Sequence, residues 1–350
     1  MSKSKEPIVT CRGLRKWFPV SAGFFSQLLG GEVWLKAVDN VDLDVYPEDL
    51  YCLAGESGCG KTTTGKLLVG LIEPTEGVVE FEGHDLNKIS RRELRRLRAK
   101  MQTIFQDPYS SLNPRLSLYD TIAEPLRLNK IAESGEDEED RVIRALEAVQ
   151  LVPPEEFTFR YPHELSGGQR QRVAIARAIV VNPSFIVADE PVSMLDVSIR
   201  SEILNLLERI RREFHIAYIY VTHDLSVASY IGDKIAIMYL GKIMEKGTID
   251  QVIHGSVHPY SQALISAVPS PDPTSLRKRK VLPGEPGSPI NTPPGCLFAP
   301  RCEFAQDKCL QEEPPLEELE PGHWVSCWFP RPPLRLEFDP AASLKEKTKT

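Results

Sequence analysis

Through most of the first 250 residues, short apolar runs alternate with stretches whose apolar positions recur every three or four residues, the pattern of an α/β sheet. Leu50–Ala54, Phe185–Ala188, Ile216–Thr222 and Lys234–Met238 have the length and composition of buried strands. Ile199, Ile203, Leu206, Leu207, Ile210 and Phe214 fall on one helical face and predict an amphipathic helix over Ser198–Phe214. Another helix is predicted from Lys61, with Leu67, Leu68 and Leu71 on its buried side, and Tyr239–Gly247 predicts a hairpin turning at Gly241. Two charge runs stand out. Arg91–Arg98 reads as a solvated helix face, and the acidic run Glu133–Asp140 as a loop leading into a helix over Arg141–Val149.

The pattern changes near residue 255. Of the 29 prolines, 17 lie between Pro259 and Pro340, a density that removes backbone donors and forbids long helices. The predicted organisation is one domain over residues 1–254, a small proline-rich domain over 255–335, and a flexible tail over 336–350. So loop-rich a segment has a thin core of its own and calls for a staple. Four of the seven cysteines fall in it, as Cys296-x₅-Cys302-x₆-Cys309-x₁₇-Cys327. In a reducing compartment such a cluster reads as metal binding before disulfides. With no Cys-x-x-Cys pair it matches a zinc ribbon poorly; a Cys₄ [4Fe–4S] cluster, zinc, and four unligated thiols stay open.

The bulk numbers exclude some classes. A net charge of −7 argues against nucleic-acid binding, which needs a basic face. No apolar stretch reaches the ~18–20 residues of a membrane span, and Met-Ser-Lys-Ser-Lys-Glu-Pro has no apolar core of a leader. The expectation is a chain that stays in the cytoplasm.

Two strings carry the chemistry. Gly55-Glu-Ser57-Gly58-Cys59-Gly60-Lys61-Thr62 fits G-x-x-x-x-G-K-[ST], whose glycines let consecutive N–H groups converge on a phosphate. It follows a predicted strand and opens a predicted helix, the context that motif requires. Leu165-Ser166-Gly167-Gly168-Gln169 is a second turn at the mouth of a helix, able to bind phosphate through backbone amides and the positive helix end.

Together these strings resemble the nucleotide-binding subunits of ABC transporters. The resemblance implies an α/β, ABC-type P-loop ATPase with a mixed sheet core and antiparallel β and helical subdomains, followed by a loop-rich cysteine-containing domain. It also implies ATP and Mg²⁺. Lys61 would sit on the β/γ-phosphates, Thr63 at the α-phosphate, and Thr62, Gln106 and Asp189 around Mg²⁺. Glu190 would be the general base, with His223 contacting the γ-phosphate, Gln106 sensing it and Asp196 signalling across a dimer. Phe18, or its neighbour Trp17, would stack on adenine. Taken singly, Asp-Glu after a strand, Gln-Asp-Pro in a turn and a histidine after a strand are ordinary structural features. It is their order, together with the two phosphate motifs, that carries the reading.

Further strings narrow the resemblance to the ATP-binding subunits of oligopeptide and dipeptide permeases: Gln106-Asp-Pro-Tyr-Ser-Ser-Leu-Asn-Pro114, Arg160–Arg172, Asp189–Ser198 (with Met194 where a small residue is commoner) and His258-Pro-Tyr-Ser-Gln-Ala-Leu264. The insertion between Trp17 and Ala37 is similar to the longer N-terminal hairpin of that group. In such importers Ser166, Gly167, Gly168 and Gln169 complete the site of a second, usually non-identical ATPase subunit. Two membrane permeases dock beside Gln106 and Tyr109–Arg115, with Tyr109, Leu112 and Leu116 as candidate contacts, and an extracytoplasmic solute-binding protein feeds them. The subunit would lie peripherally on the cytoplasmic face of the cell membrane. The group also implies a [4Fe–4S] cluster on the four C-terminal cysteines. Two other classes compete: a soluble cassette of DNA repair or the ribosome, which the single cassette and acidic balance oppose, and a redox-sensing module.

Overall fold

The computed structural model describes residues 6–20, 33–268, 284, 287–290, 292–334, 341 and 344. Much of the 17–37 insertion and most of the predicted tail lie outside the described residues. Eight strands form one sheet in the order 317–320, 323–325, 242–248, 234–239, 50–54, 217–222, 185–189, 101–104. From 234–239 to 101–104 the pairing is parallel. Leu50–Ala54, Phe185–Asp189 and Ala217–Thr222 are buried at every position, as strands covered on both faces must be. A second, four-stranded antiparallel sheet, ordered 34–45, 9–19, 76–81, 84–85, joins Val9, Leu14, Val41 and Phe81 to Leu53, Val187 and Ile219 of the larger sheet in one apolar cluster.

The predicted elements are present, with two differences. Helix Lys61–Leu68 ends before Leu71, whose side chain is 47% exposed rather than buried. The acidic run is helix, not loop: Gly135–Ala148 begins inside it, Ser134 accepts from the N–H of Asp137, and Glu136, Asp137 and Glu138 occupy the first turn. Carboxylates there face the positive helix end, so the charges favour the helix they were read as preceding. The hairpin turns at Leu240-Gly241, both at positive φ (44° and 84°), the twist a tight turn between antiparallel strands requires. Arg91–Lys100 is a helix with no buried residue, closed by a Ser90–Glu93 capping box.

The C-terminal segment shares the cassette's sheet and core. His323–Val325 pairs antiparallel with Lys242–Thr248, and Glu317–Glu320 adds the outermost strand. Tyr260, Ile265, Leu297 and Phe298 belong to the same apolar cluster as the helices over 118–129 and 167–179. The rings of Tyr239, Tyr260 and Phe298 meet with centroids 4.8–5.6 Å apart.

Glu245 is the polar centre of this junction. It is fully buried, and its carboxylate accepts from Ser256 Oγ (2.7 Å), the Val257 N–H (2.9 Å) and His323 Nε2 (2.9 Å). His323 is thus a hydrogen-bond partner in the interior. A buried carboxylate persists only when its oxygens are so occupied.

His258 lies at the same junction, its Nδ1 accepting from the Tyr260 N–H at 3.0 Å. Burial pushes its pKa down from 6.5 to about 4, against a smaller opposing pull from Glu245. The unfolded chain takes up this proton below about 6.5 while the folded chain resists it until about 4, so stability falls as pH drops through that window. Thermal unfolding between pH 7 and 4 should show that slope, and His258→Asn, which keeps a capping acceptor, should flatten it; an equal slope in both proteins would remove His258 as the cause.

Candidate functional site

The site is built at the carboxyl ends of four neighbouring parallel strands. The phosphate-type loop follows Leu50–Ala54, His223 follows Ala217–Thr222, Asp189 closes Phe185–Asp189, and Gln106 lies just past Met101–Ile104. In open parallel sheets this edge is where ligands bind.

The loop is shaped by its glycines. At Gly60 (φ 105°) an added Cβ would lie 2.1 Å from the carbonyl oxygen of Ala37, and at Gly55 2.2 Å from that of Met238. Only glycine allows the neighbouring backbone so close. Gly241 N–H donates to Cys59 O at 2.9 Å, tying the loop to the hairpin turn. Ser57 and Gly58 form the exposed crest, whereas Cys59 is buried beneath it. Lys61 is buried, and its Nζ donates to the carbonyls of Gly55 (2.8 Å) and Glu56 (2.9 Å). Thr62 Oγ1 donates to Asp189 Oδ1 at 3.0 Å, and half-buried Thr63 follows.

Burial raises the pKa of Asp189, and the Thr62 hydrogen bond only partly offsets it. A desolvated carboxylate beside a hydroxyl is a pair of hard oxygen donors, the donor set Mg²⁺ takes, and the loop's crowded glycines leave backbone where a phosphate needs it. The residues present fit both groups.

Glu190 breaks from the strand. Rather than continuing as extended chain, it adopts φ 45°, an uncommon conformation for a residue with a side chain. Its N–H donates to Val221 O at 3.0 Å. Its carboxylate, 16% exposed, accepts from Gln106 Nε2 at 3.0 Å through one oxygen and meets His223 Nδ1 at 2.8 Å through the other. Three residues predicted separately from sequence are therefore joined in one hydrogen-bonded group.

The remaining predicted residues are spread outward. Ser166 caps helix Gly167–Ile179 in a reciprocal box with Gln169, and it lies exposed at the helix mouth with Gly168 packed behind on Ile199. Asp196 precedes helix Val197–Phe214 without a side-chain capping bond. Phe18 is partly exposed on strand Val9–Pro19 with Lys16 Nζ 5.2 Å from its ring centre. Of the docking candidates Tyr109 is exposed, Leu116 half-buried and Leu112 buried, so Leu112 packs internally. An adjoining groove of about 470 Å³ is lined by Leu71, Phe105, Leu128, Arg95 and Arg98.

A family model described as "ABC transporter" matches residues 38–193, and another described as "Oligopeptide/dipeptide transporter, C-terminal region" matches residues 244–309. The oligopeptide transport ATP-binding protein AppF of Bacillus subtilis is 42% identical over 327 residues, covering 93% of this chain and 98% of AppF. The chain belongs to the ABC transporter ATP-binding proteins. Its fold is similar to the dimeric ATP-binding cassette MJ0796 bound to ADP and Pi, with a TM-score of 0.60 and 31% identity over 69% of this chain and 98% of that one. It is also similar to cbiO1 from Clostridium perfringens, part of the ABC transporter complex cbiONQ (TM-score 0.60, 25% identity, 71% and 91% covered). As an ABC ATPase it uses ATP and Mg²⁺ and couples hydrolysis to transport together with membrane permease subunits. Among the described residues no helix is long and apolar enough to cross a membrane.

The iron–sulfur expectation is corrected. Among the described residues no group of three or more His, Cys, Asp or Glu side chains could hold a metal ion. Cys296, Cys302, Cys309 and Cys327 are free. They line a cavity of about 20 Å³ among Phe298 and Trp328, room for about one water. Burial pushes the Cys296 thiol up to about 11 and the Cys327 thiol up to about 12, favouring the protonated form. The same finding leaves the zinc alternative without support. The staple that a proline-rich segment requires is instead strand pairing, shared apolar core and Glu245.

Sequence reasoning missed the contacts of Glu56 with Tyr260 and Arg301, which lie 204 and 245 residues further along the chain. No local pattern marks such pairs.

Gly60→Ala should abolish nucleotide binding or the fold around the loop, because the methyl group would overlap the Ala37 carbonyl. Near-normal affinity in a nucleotide titration of that variant would contradict the crowding described.

Proposed function

We propose that this chain is the ATPase subunit of a peptide importer, lying on the cytoplasmic face of the membrane. In the assembly it pairs with a second, non-identical ATPase subunit and with two permeases fed by an extracytoplasmic binding protein. The observation that carries the catalytic part is the Glu190 carboxylate held between Gln106 and His223 at the sheet edge. The match of residues 244–309 to the oligopeptide/dipeptide C-terminal region and the likeness to AppF support peptides as cargo.

In this reading Lys61 and the loop N–H groups of Gly55–Thr62 hold the β- and γ-phosphates, with Thr63 at the α-phosphate and Phe18 against the base. Thr62, Asp189 and Gln106 hold Mg²⁺, which supplies charge neutralisation on the phosphates. Glu190 accepts a proton from the attacking water. A carboxylate already oriented at both oxygens pays little to be aligned for that step. His223 and Gln106 hold Glu190 and reach toward the γ-phosphate.

Ser166–Gln169 opens outward from its helix and completes the partner's site, as the partner's equivalent turn completes this one. ATP bridges the two subunits and closes them, and loss of the γ-phosphate releases the closure. A permease helix docks in the groove beside Phe105, where Leu71 and Leu128 leave apolar surface among Arg95 and Arg98.

Glu190→Gln should reduce ATP turnover by about 10²–10⁴-fold while stabilising an ATP-bound dimer, read by phosphate release and by sedimentation; normal turnover would refute Glu190 as the base. Leu128, 69% exposed, tests docking. Leu128→Glu should leave the basal ATPase intact but reduce recovery of the subunit with its permeases on membranes, and undiminished recovery would move the docking surface elsewhere.

A further inference from the structure

Glu56, the second residue of the phosphate loop, is held at all of its polar groups, and both its carboxylate and its N–H are held from beyond residue 254. Its carboxylate receives a two-armed bond from Arg301, Nη1 to Oε2 at 2.7 Å and Nη2 to Oε1 at 3.1 Å. Its N–H donates to the Tyr260 hydroxyl at 3.1 Å. Its carbonyl accepts from Lys61 Nζ at 2.9 Å, which links the grip to the lysine of the loop itself.

Both distant partners are themselves fixed. Arg301 sits in the short turn Ala299–Arg301 with its side chain only 7% exposed and its guanidinium 5.8 Å from the ring centre of Tyr239. Tyr260 is fully buried, packs 5.2 Å from Phe298, and sits with its hydroxyl 3.4 Å from Met238 O. A planar guanidinium paired fork-to-fork with a carboxylate sets direction as well as distance. The loop they hold carries positive φ at Gly55, Gly58 and Gly60, so its own backbone has little preference for one shape. A bare carboxylate on that loop would also repel a triphosphate, and Arg301 neutralises it.

We propose that Arg301 and Tyr260 are positioning residues for the phosphate loop, so that the C-terminal region sets the ATP affinity of the cassette by holding and neutralising Glu56. The inference rests on the reading of Gly55–Thr62 as the ATP-binding loop. It gives the segment beyond residue 254 a part in nucleotide handling. Any partner that shifts the turn at Arg301 would loosen the loop without touching nucleotide.

The test is titration of the full chain and its variants with a fluorescent ATP analogue, with thermal unfolding in parallel. Wild type should bind. Arg301→Ala should bind about tenfold more weakly, and Arg301→Lys, which keeps the charge but loses the fork, should fall between. Tyr260→Phe should bind about twofold to threefold more weakly. Adding Glu56→Gln to Arg301→Ala should recover part of the loss, because the unpaired charge is gone. A purely structural defect would not be repaired by that second change. If Arg301→Ala unfolds early, Arg301→Lys and the double variant carry the same comparison. Unchanged affinity in Arg301→Ala, or a double variant weaker than the single, would overturn the proposal. Failure of wild type to bind would instead overturn the loop reading beneath it.

Discussion

Everything at the candidate site hangs on the parallel pairing of four strands. Ala54 lies opposite Thr222, Asp189 opposite Val221, and Ile104 opposite Ala188, so the strands run out along one edge. Asp189 closes its strand and Gln106, Glu190 and His223 follow theirs almost at once, so register sets their location, whereas Lys61 depends also on the loop that carries it. A slip of one residue in any strand would exchange side chains between the two packed faces and misplace a functional group by about 3.3 Å. The same hydrophobic burial that stabilises the sheet thus enforces the spacing among Asp189, Glu190 and His223.

The C-terminal region is integrated by the same kind of force. Its strands extend the cassette sheet and its rings fill the cassette core. The carboxylate of Glu245, which precedes residue 254, takes its donors from Ser256, Val257 and His323 beyond it. Proline richness suggests an appendage in need of a metal clip. Strand pairing with an existing sheet meets that need differently, because a short segment without a core of its own can borrow one.

Much of this was legible in the sequence. The strands were visible as apolar runs because both faces of a parallel sheet are covered, and the loop motif was visible because glycine spacing is a backbone requirement. Glu190 was read correctly as following the strand but not as leaving it in a left-handed conformation, since φ depends on what surrounds the chain and not on the residue alone. The acidic run was misread as loop because charge was weighed without helix polarity. Leu71 was placed on a buried face by a helical period that the chain abandons at Leu68. The cysteine spacing could not report its own surroundings: whether four thiols meet a metal or an apolar pocket depends on Phe298, Trp328 and their neighbours, which spacing does not encode.

The long reach from Glu56 to Arg301 bears on how the molecule is made. The Gly55–Thr62 loop is synthesised before Tyr260 and Arg301, the two distant groups that grip Glu56. Closing a contact across 245 residues is slow and comes after local structure has formed. During synthesis the cassette therefore passes through an interval in which its parallel strands can pair but this loop is not yet clasped, and the segment beyond residue 254 ends that interval.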